Sequence, residues 1–278
     1  MKKILFLGAG SPTDPNFENI PGIKYMQVEK GIIITKPTVI ESCHGCPDLM
    51  TKYSEQMQDI VECGNRVVGV LEGGLYFALP SIQATQVTFP IISCPLDFPS
   101  YQAFMVPSGI AAIASVGFER KKIKNEYFTK QRGKALHVAE KILDLEEDAV
   151  ALKGEGNLEN LERKLNDFRI KTSDESKLIL TYKRCPIEIE RDDIQIWANS
   201  SLDVSSVISV KKSEEKISRA PFTVQVRGDE NLAIYAAKIL SLRNADIREK
   251  LKEMERKKRK SYNERNIIEE IGDIKWEA

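Results

Sequence analysis

The chain has no excess of either charge sign, no long apolar run and almost no histidine. Its 41 lysine and arginine residues equal its 41 aspartate and glutamate residues, so the formal net charge at pH 7 is zero. Proteins that bind nucleic acid through its phosphates usually carry a basic excess, so we expect no nucleic-acid partner. The basic run KKRK at residues 257–260 is flanked by acidic residues, which predicts a solvated helix face.

No stretch of 18 apolar residues occurs, so the sequence predicts no membrane span and no membrane partner. The apolar run near the N-terminus is too short for a signal peptide, and no small-residue cleavage pattern follows it. Five cysteines, an odd number, favour a reducing compartment over a disulfide framework. We therefore expect a cytoplasmic protein.

Strand-like and helix-like segments alternate along the first half of the sequence. Apolar runs predict strands at residues 3–7, 31–34, 38–40, 66–71, 90–94 and 110–118, and amphipathic spacing predicts helices at 47–63, 79–85 and 130–145. Strands that are apolar throughout are typical of a parallel sheet covered on both faces. Ligands of such sheets bind outside the carboxyl ends of the strands, which here are followed by GAGSPTD, ESCHGCPD, LEGGLYFALPS and ISCPLDFPS.

The chain divides by composition into an α/β domain at 1–150 and a second part at 151–278. Residues 144–176 are strongly charged and predict a helical connector, after which strands are predicted at 178–182, 187–190, 194–197, 204–210 and 222–226. A long helix from about residue 231 closes this second α/β unit. The segments ALHVAEKIL at 135–143 and AIYAAKIL at 233–240 resemble each other, which fits either an internal duplication or a pattern common to amphipathic helices.

The stretch ESCHGCPD contains His44, one of only two histidines in the chain, between Cys43 and Cys46. A structural zinc site needs four ligands, and the sequence offers no second cysteine pair. A redox C-x-x-C motif at a helix start is a second interpretation, because the helix dipole lowers the pKa of a thiol there. A third is a helix start with two small buried thiols and an incidental histidine.

The stretch also resembles a known family. Ser42-Cys-His-Gly-Cys-Pro47 is similar to the S-A-H-R-T-P loop of the PurE family of aminoimidazole ribonucleotide carboxylases and mutases. Further segments resemble that family in the same order: GSPTD at 10–14 its G-S-x-S-D loop, EGG at 72–74 followed by LP at 79–80 its A-G-G-A-A-H-L-P segment, FPIISCP at 89–95 its L-P-V-I-G-V-P, and MVPSGIAAIA at 105–114 its M-P-x-G-V-P-V-A-T. These five segments span roughly residues 1–150. The family's closing helix, N-A-x-L-A-A-x-I-L, is similar to NLAIYAAKIL at 231–240.

The resemblance implies a three-layer α/β sandwich with a parallel sheet, of the flavodoxin-like PurE type, with a C-terminal α/β extension in this chain. It also implies a symmetric homo-oligomer, with the last long helix at an interface. The implied activity is transfer of a carboxyl group on an aminoimidazole ribonucleotide, or on a related phosphorylated small molecule, without a metal or an organic cofactor.

Residue roles follow from the same resemblance. His44 would be the general acid and base, because a histidine of pKa near 6.5 both accepts and donates protons at neutral pH. Ser42, together with the amides at the helix start past Pro47, would hold carboxylate or carbon dioxide. The remaining implied substrate-binding residues are Gly10, Ser11, Thr13, Asp14, Gly45, Gly73, Gly74, Leu79 and Pro80. Among them, the hydroxyls and the carboxylate would bond ribose and phosphate, and the glycine pair would let backbone amides approach the ligand.

The chain departs from the family pattern at three points. Gly45 stands where the family has an arginine, the family's second histidine is absent from LYFALP, and the segment between Pro95 and Pro107 is shortened. Glycine cannot replace a bidentate guanidinium. The candidates for the missing charge are Arg66, Arg120, Lys121 and Lys122. These departures favour an alternative, a nucleotide- or metabolite-binding protein that kept the scaffold and lost the reaction.

Three other residues have a structural interpretation beside a functional one. His137 lies in a predicted helix beside apolar positions, which predicts a structural or surface histidine. Tyr76 and Phe77 follow the glycine pair, where they would either stack on a flat heterocycle or pack in the core.

Overall fold

The computed structural model of the chain describes residues 1–9, 23–35, 38–39, 47–73, 78–95, 111–116, 124–153, 158–182, 194–199 and 223–261. The strands are β1 Lys3–Ala9, β2 Ile33–Ile34, β3 Thr38–Val39, β4 Arg66–Gly73, β5 Ile91–Pro95, β6 Ala114–Ser115, β7 Ala149–Lys153, β8 Lys171–Thr172, β9 Leu178–Tyr182, β10 Ile194–Asn199 and β11 Thr223–Arg227. The helices are α1 Ile23–Val28, α2 Pro47–Glu62, α3 Ala78–Ala84, α4 Lys124–Asp144, α5 Leu158–Asp167, α6 Gly228–Leu240 and α7 Ala245–Ser261.

All these strands belong to one sheet in the order β2-β1-β4-β5-β6-β11-β10-β9-β7-β8, and β3 pairs with β1 beside this path. Every described pairing is parallel except that of β6 with β11, where Ser115 lies opposite Gln225. The predicted parallel sheet is therefore confirmed. The architecture is α/β, and it is compatible with a three-layer sandwich.

The sheet consists of two halves with the same strand order. The first half, β1 to β6, is arranged β2-β1-β4-β5-β6, and the second half, β7 to β11, is arranged β8-β7-β9-β10-β11. If β2 and β3 are counted as one strand position and the strands of each half are numbered along the chain, each half has the order 2-1-3-4-5. The halves meet antiparallel through their last strands, as a two-fold axis at the junction would require. This shared topology favours internal duplication as the reason for the similarity between residues 135–143 and 233–240.

Helix α2 begins and ends where its sequence predicts. Pro47 occupies the first helical position, where its missing N–H leaves no hydrogen bond unmade, and Asp48 lies in the first turn, where the dipole favours a carboxylate. At the other end Gly64 adopts a φ of +80° and its N–H donates to the carbonyl of Val61. A left-handed glycine of this kind is a common helix terminator. Seven residues, 40–46, separate the start of α2 from Val39, the last residue of β3.

One hydrophobic core extends through both halves. Leu5 and Val68 of the first half belong to the same cluster of buried side chains as Ile196 and Ile239 of the second. Helix α6 carries much of this continuity, because all its residues from 231 to 240 are buried. The predicted division at residue 150 remains a prediction about domains, but the strands on both sides of it share a sheet and a core.

Helix α6 also bonds directly to the first half. The Tyr235 hydroxyl donates to the carbonyl of Ile91 at 3.1 Å, and the Lys238 ammonium donates to the carbonyl of Ala84 at 2.9 Å. Just past the helix, the Ser241 hydroxyl donates to the carbonyl of Lys238 at 2.8 Å and lies 3.4 Å from the carbonyl of Thr88. These bonds join the second half to the end of α3 and the start of β5.

Two segments differ from their prediction. Residues 144–176, predicted as a helical connector, contain the helix α5 but also β7 and β8, because the short run Ala149–Ala151 is buried despite its charged neighbours. The single long helix predicted from about residue 231 is two helices, α6 and α7. Asn244 separates them, since its side-chain oxygen accepts from the N–H groups of Asp246 and Ile247 and caps α7. Among the described helices, none has the length and apolar character needed to cross a bilayer.

Candidate functional site

Four of the predicted ligand-binding loops begin at neighbouring strand ends of the first half. Ala9, at the end of β1, pairs in register with both Val39 and Glu72, and Gly73 pairs with Pro95. Adjacent strands lie about 4.8 Å apart, so the segments that follow β1, β3, β4 and β5 all leave from one short edge of the sheet. We call the carboxyl ends of these four strands the first carboxyl edge.

Most of the predicted site residues belong to those segments and lie outside the described residues. They are Ser42, His44, Gly45, Gly10, Ser11, Thr13, Asp14 and Gly74. The segment that contains His44 begins after Val39, at the first carboxyl edge, and ends at Pro47, the first residue of α2. The helix start that the predicted role of Ser42 requires is therefore present, while the roles themselves remain predictions.

Three predicted site residues are described. Gly73 is the last residue of β4, at the first carboxyl edge. Leu79 and Pro80 are buried in α3, and Leu79 packs in a small cluster with Met50 and Tyr53 of α2. This packing gives Leu79 a structural role, which is to hold α3 against α2.

The cysteine alternatives concern Cys43 and Cys46, which also lie outside the described residues. Of the described cysteines, Cys63 is exposed and Cys94 is buried. Within the part of the chain that the structure describes, no three histidine, cysteine or carboxylate side chains are grouped as a metal site requires.

A buried ion pair lies directly beneath the first carboxyl edge. The Glu72 carboxylate, on β4, has no solvent exposure, and Arg132, on α4, is 5% exposed. The Arg132 Nη2 donates to Glu72 Oε2 at 2.6 Å, and its Nε donates to Oε1. Two parallel N–H donors thus hold the carboxylate, the geometry in which arginine binds a carboxylate most specifically. The two opposite charges leave the pair with no net charge.

Cys94 is the register partner of Glu72 on β5 and is a packing residue. Burial raises the pKa of the Cys94 thiol well above its ordinary value, the nearby Glu72 charge raises it further, and Arg132 acts in the opposite direction. A thiol must be ionised to act as a nucleophile or a metal ligand. Cys94 stays protonated near neutral pH, so it fills space beside the ion pair.

The sequence does not predict this ion pair directly, although it contains a signal for each member. Glu72 is the only carboxylate in the strand RVVGVLEG, and a charge in such an apolar strand needs a buried partner. Arg132 lies three and four residues before Ala135 and Leu136, on the buried face of α4. Its charged surroundings, KQRGK, resemble a solvated helix face and conceal that periodicity.

Two residues that the sequence analysis considered lie away from this edge. Arg66 begins β4, seven residues before Gly73 or about 23 Å at about 3.3 Å per residue. It donates to the carbonyl of Leu143 at 2.9 Å and to Glu146 at 3.0 Å, so it does not replace the missing family arginine. Arg120, Lys121 and Lys122 lie outside the described residues. His137 is 60% exposed, which confirms it as a surface histidine.

Comparison with known proteins identifies no family, because no family model matches the chain and no curated protein or solved structure is significantly similar to it. The fold class, an α/β protein with a largely parallel sheet, therefore follows from the molecule alone.

Proposed function

We propose that the first carboxyl edge binds a phosphorylated heterocycle, an aminoimidazole ribonucleotide or a close relative, and that His44 transfers the proton while a carboxyl group moves. The observation that carries this proposal is the convergence of loops. The segments after β1, β3, β4 and β5 each contain one part of the resemblance to the PurE family, and the register brings the strand ends that precede them to one edge.

The strand order supports a flavodoxin-like type for the first half. In a 2-1-3-4-5 sheet the chain reverses direction across the sheet at the first strand, which leaves a crevice between the first and third strands at their carboxyl ends. In this chain those strands are β1 and β4, and the residues that precede the crevice are Ala9 and Gly73. The crevice is therefore flanked by the segments that contain Ser11 and Gly74.

The proposed chemistry needs a proton carrier and a place for negative charge. The carbon that gains the carboxyl group loses a proton, and the nitrogen that loses the carboxyl group gains one, so a single histidine serves both steps. The helix α2 has sixteen residues and begins at Pro47, immediately after the segment that contains His44. Its N-terminus provides unbonded N–H groups and a positive dipole end for the carboxylate.

A specific observation favours the alternative, a nucleotide- or metabolite-binding protein without this reaction. The family arginine is Gly45 here, Arg66 lies at the other end of β4, and the charge of Arg132 is balanced by Glu72. Neither arginine therefore supplies the missing cation. A site with less positive charge would bind a less anionic ligand or bind without turnover.

The test is a turnover assay on the purified protein with carboxyaminoimidazole ribonucleotide and, separately, with its N-carboxy isomer, followed by ultraviolet absorbance. We expect turnover by the wild type and a loss of about a hundredfold or more in His44→Asn, because general acid–base catalysis contributes at least that factor. His137→Asn is the matched control, since it removes the only other histidine of the chain, whose side chain is exposed. Its turnover should equal that of the wild type.

The absence of turnover with either isomer, in protein with a cooperative unfolding transition, would remove the carboxyl-transfer proposal. Equilibrium binding of the same two ribonucleotides would then test the alternative. Binding that persists in His44→Asn would support a binding protein, and no binding would remove the ribonucleotide class.

A further inference from the structure

We propose that Glu72 and Arg132 are the positioning pair of the first carboxyl edge, fixing the backbone at Gly73 for the ligand. The inference rests on the proposed function for its choice of ligand. Neither residue was part of the predicted site, and the pair acts through the backbone that follows it.

The location of the pair is the first argument. Glu72 pairs in register with Ala9 on one side and with Cys94 on the other. Each of these three residues lies at, or one residue before, the end of its strand, and the predicted loops follow. A tether at Glu72 therefore acts one register position before Gly73 and Pro95, the last pair of the sheet at this edge.

The sequence after Glu72 is the second argument. Gly73 has no side chain, so its own packing does not hold its backbone, and its pairing with Pro95 is the end of the ladder. The adjacent side chain toward the N-terminus is that of Glu72, which two N–H groups of Arg132 hold. A fixed carboxylate at Glu72 therefore restrains the strand at Gly73.

The energy of a buried ion pair is the third argument. Taking both charges out of water is costly, and apolar side chains of similar volume in their place are often as stable or more stable. Stability alone therefore does not explain why Glu72 of the central strand β4 is buried together with a charged partner from α4. A bidentate bond differs from apolar packing in that it specifies distance and direction.

The same strand provides a matched control. Arg66, which is 2% exposed, connects the amino end of β4 to the last turn of α4 through the carbonyl of Leu143, as Arg132 connects the carboxyl end of β4 to α4. Both arginines are buried and both link the same two elements. They differ in which edge of the sheet they serve, so a structural role is common to both and a positioning role at the site belongs to Arg132.

The test compares Arg132→Lys with Arg66→Lys in the full chain. Lysine keeps the charge but loses the planar fork, so the tether loosens without leaving an uncompensated carboxylate. Amide hydrogen exchange of the peptide that covers residues 70–77 is measured in both variants, together with turnover and binding of the two ribonucleotide isomers. We expect faster exchange in Arg132→Lys only, with a fall in kcat of about tenfold or more, because small misplacements of binding groups reduce rates strongly.

A second variant keeps the proposal testable if Arg132→Lys does not fold. The double substitution Glu72→Met with Arg132→Met replaces the pair by apolar side chains, which is expected to leave the midpoint of urea unfolding near that of the wild type. It should still show faster exchange at residues 73–74.

Exchange at residues 73–74 that is the same in Arg132→Lys, in the double variant and in Arg66→Lys would overturn the positioning role. Failure of the proposed function has a different signature, since the wild type would then neither bind nor convert either isomer while the exchange comparison still gives its result. Faster exchange with unchanged kcat and unchanged affinity would also overturn the proposal, since the pair would then order a loop that the ligand does not use.

Discussion

The two halves of the sheet share a strand order but differ in the connection that precedes their third strand. In the first half this connection contains the sixteen-residue helix α2, which begins beside the segment that contains His44. In the second half, β8 and β9 are joined only by residues 173–177, a short turn. The second half therefore lacks the helix start that the proposed site uses, and its topology alone does not make it a second site.

What the second half contributes instead is support for the first. The side chains of Tyr235 and Lys238 donate hydrogen bonds to the carbonyl groups of Ile91 and Ala84. These bonds of α6 to the other half end on backbone atoms at the start of β5 and at the end of α3, and β5 is one of the four strands of the first carboxyl edge. The same order of strands thus precedes the proposed ligand site in the first half and supports that half through buried contacts in the second.

The largest expected effect comes from removing the buried contact of Tyr235 with the first half. Tyr235 is fully buried, and Tyr235→Ala should lower the free energy of unfolding by about 3–5 kcal/mol, the usual cost of deleting a buried aromatic ring. Urea unfolding followed by circular dichroism should still show one transition, because both halves share a core. Tyr235→Phe is the control and should cost about 1 kcal/mol for the lost hydroxyl bond. Two separate transitions, only one of them shifted, would mean that the halves are independent.

The second prediction concerns the pH dependence of the same contact. Burial lowers the pKa of Lys238 from 10.5 to about 7, against the effect of the Glu255 charge. Between these two values the unfolded chain binds more protons than the folded one, so stability rises with pH across that window, by up to about 1.4 kcal/mol per unit. Below about pH 7 both states carry the proton and the slope disappears.

Lys238→Met should remove this slope. Urea unfolding of both proteins at pH 7 and pH 9 should show the wild type gaining about 2–3 kcal/mol relative to the variant. An equal pH dependence in the two proteins would show that the ammonium is solvated, and that the second half does not hold the end of α3 through a buried amine.

A third prediction tests whether the short turn of the second half is a specific structure. The Ser176 hydroxyl donates to the carbonyl of Ala149 at 2.9 Å and accepts from the N–H of Leu178 at 3.1 Å. Ser176→Ala leaves both groups without this partner and should cost about 1–2 kcal/mol. Ser54→Ala in α2 is the matched control, because that buried hydroxyl bonds only the Met50 carbonyl within its own helix. An equal loss of stability in the two variants would show that the Ser176 hydroxyl contributes no more to the turn than the Ser54 hydroxyl contributes to its helix.

The smallest effect is expected at the exposed contact between the halves. The Nζ of Lys252, on α7, lies 2.8 Å from Oε2 of Glu62, on α2, and 3.1 Å from Oε1 of Glu249. Because exposed ion pairs contribute little, Lys252→Ala should cost about 0.2–1 kcal/mol, and less in high salt. A loss of stability as large as that of Tyr235→Ala would mean that this surface pair, and not the buried contacts of α6, holds the two halves together.

The pH dependence of that small loss has a definite sign. Burial acts to raise the pKa of Glu62, but hydrogen bonds from Lys252 and Gln58 and the charge of Lys252 outweigh it and hold the pKa below 4.5. A carboxyl group whose pKa is lowered in the folded state contributes stability at pH values above its ordinary pKa. This contribution is lost as the pH falls through the folded-state pKa. The difference between Lys252→Ala and the wild type should therefore shrink as the pH falls below 4.5.

The parts of the fold that follow from sequence are those with local causes. The β4 and β9 strands follow from short apolar runs, and α2 follows from Pro47 and the apolar spacing after it. The break between α6 and α7 also has a local cause, the cap at Asn244, but a single asparagine in a charged run is a weak signal. The place of β7 between β8 and β9 depends on pairing between distant segments, which the periodicity of a single segment does not predict.

The candidate site divides in the same way. The loops that would carry it were predicted from their position after apolar strands, and the register brings the ends of those strands together. The pair Glu72 and Arg132 joins residues sixty positions apart, and no local pattern links them. His44 and Ser42 lie outside the described residues, so their roles still rest on the resemblance.

The contacts of α6 also determine when the protein can complete its fold during synthesis. The bond from Lys238 to Ala84 closes a loop of 154 residues, and the bond from Arg248 to the Val61 carbonyl closes one of 187. Contacts of such long range form late and slowly. At about 5–20 residues per second, the ribosome spends on the order of ten seconds between making α3 and making α6. For that time the nascent first half has an uncovered apolar flank, so a chaperone that holds emerging chains is expected to increase the yield of folded protein.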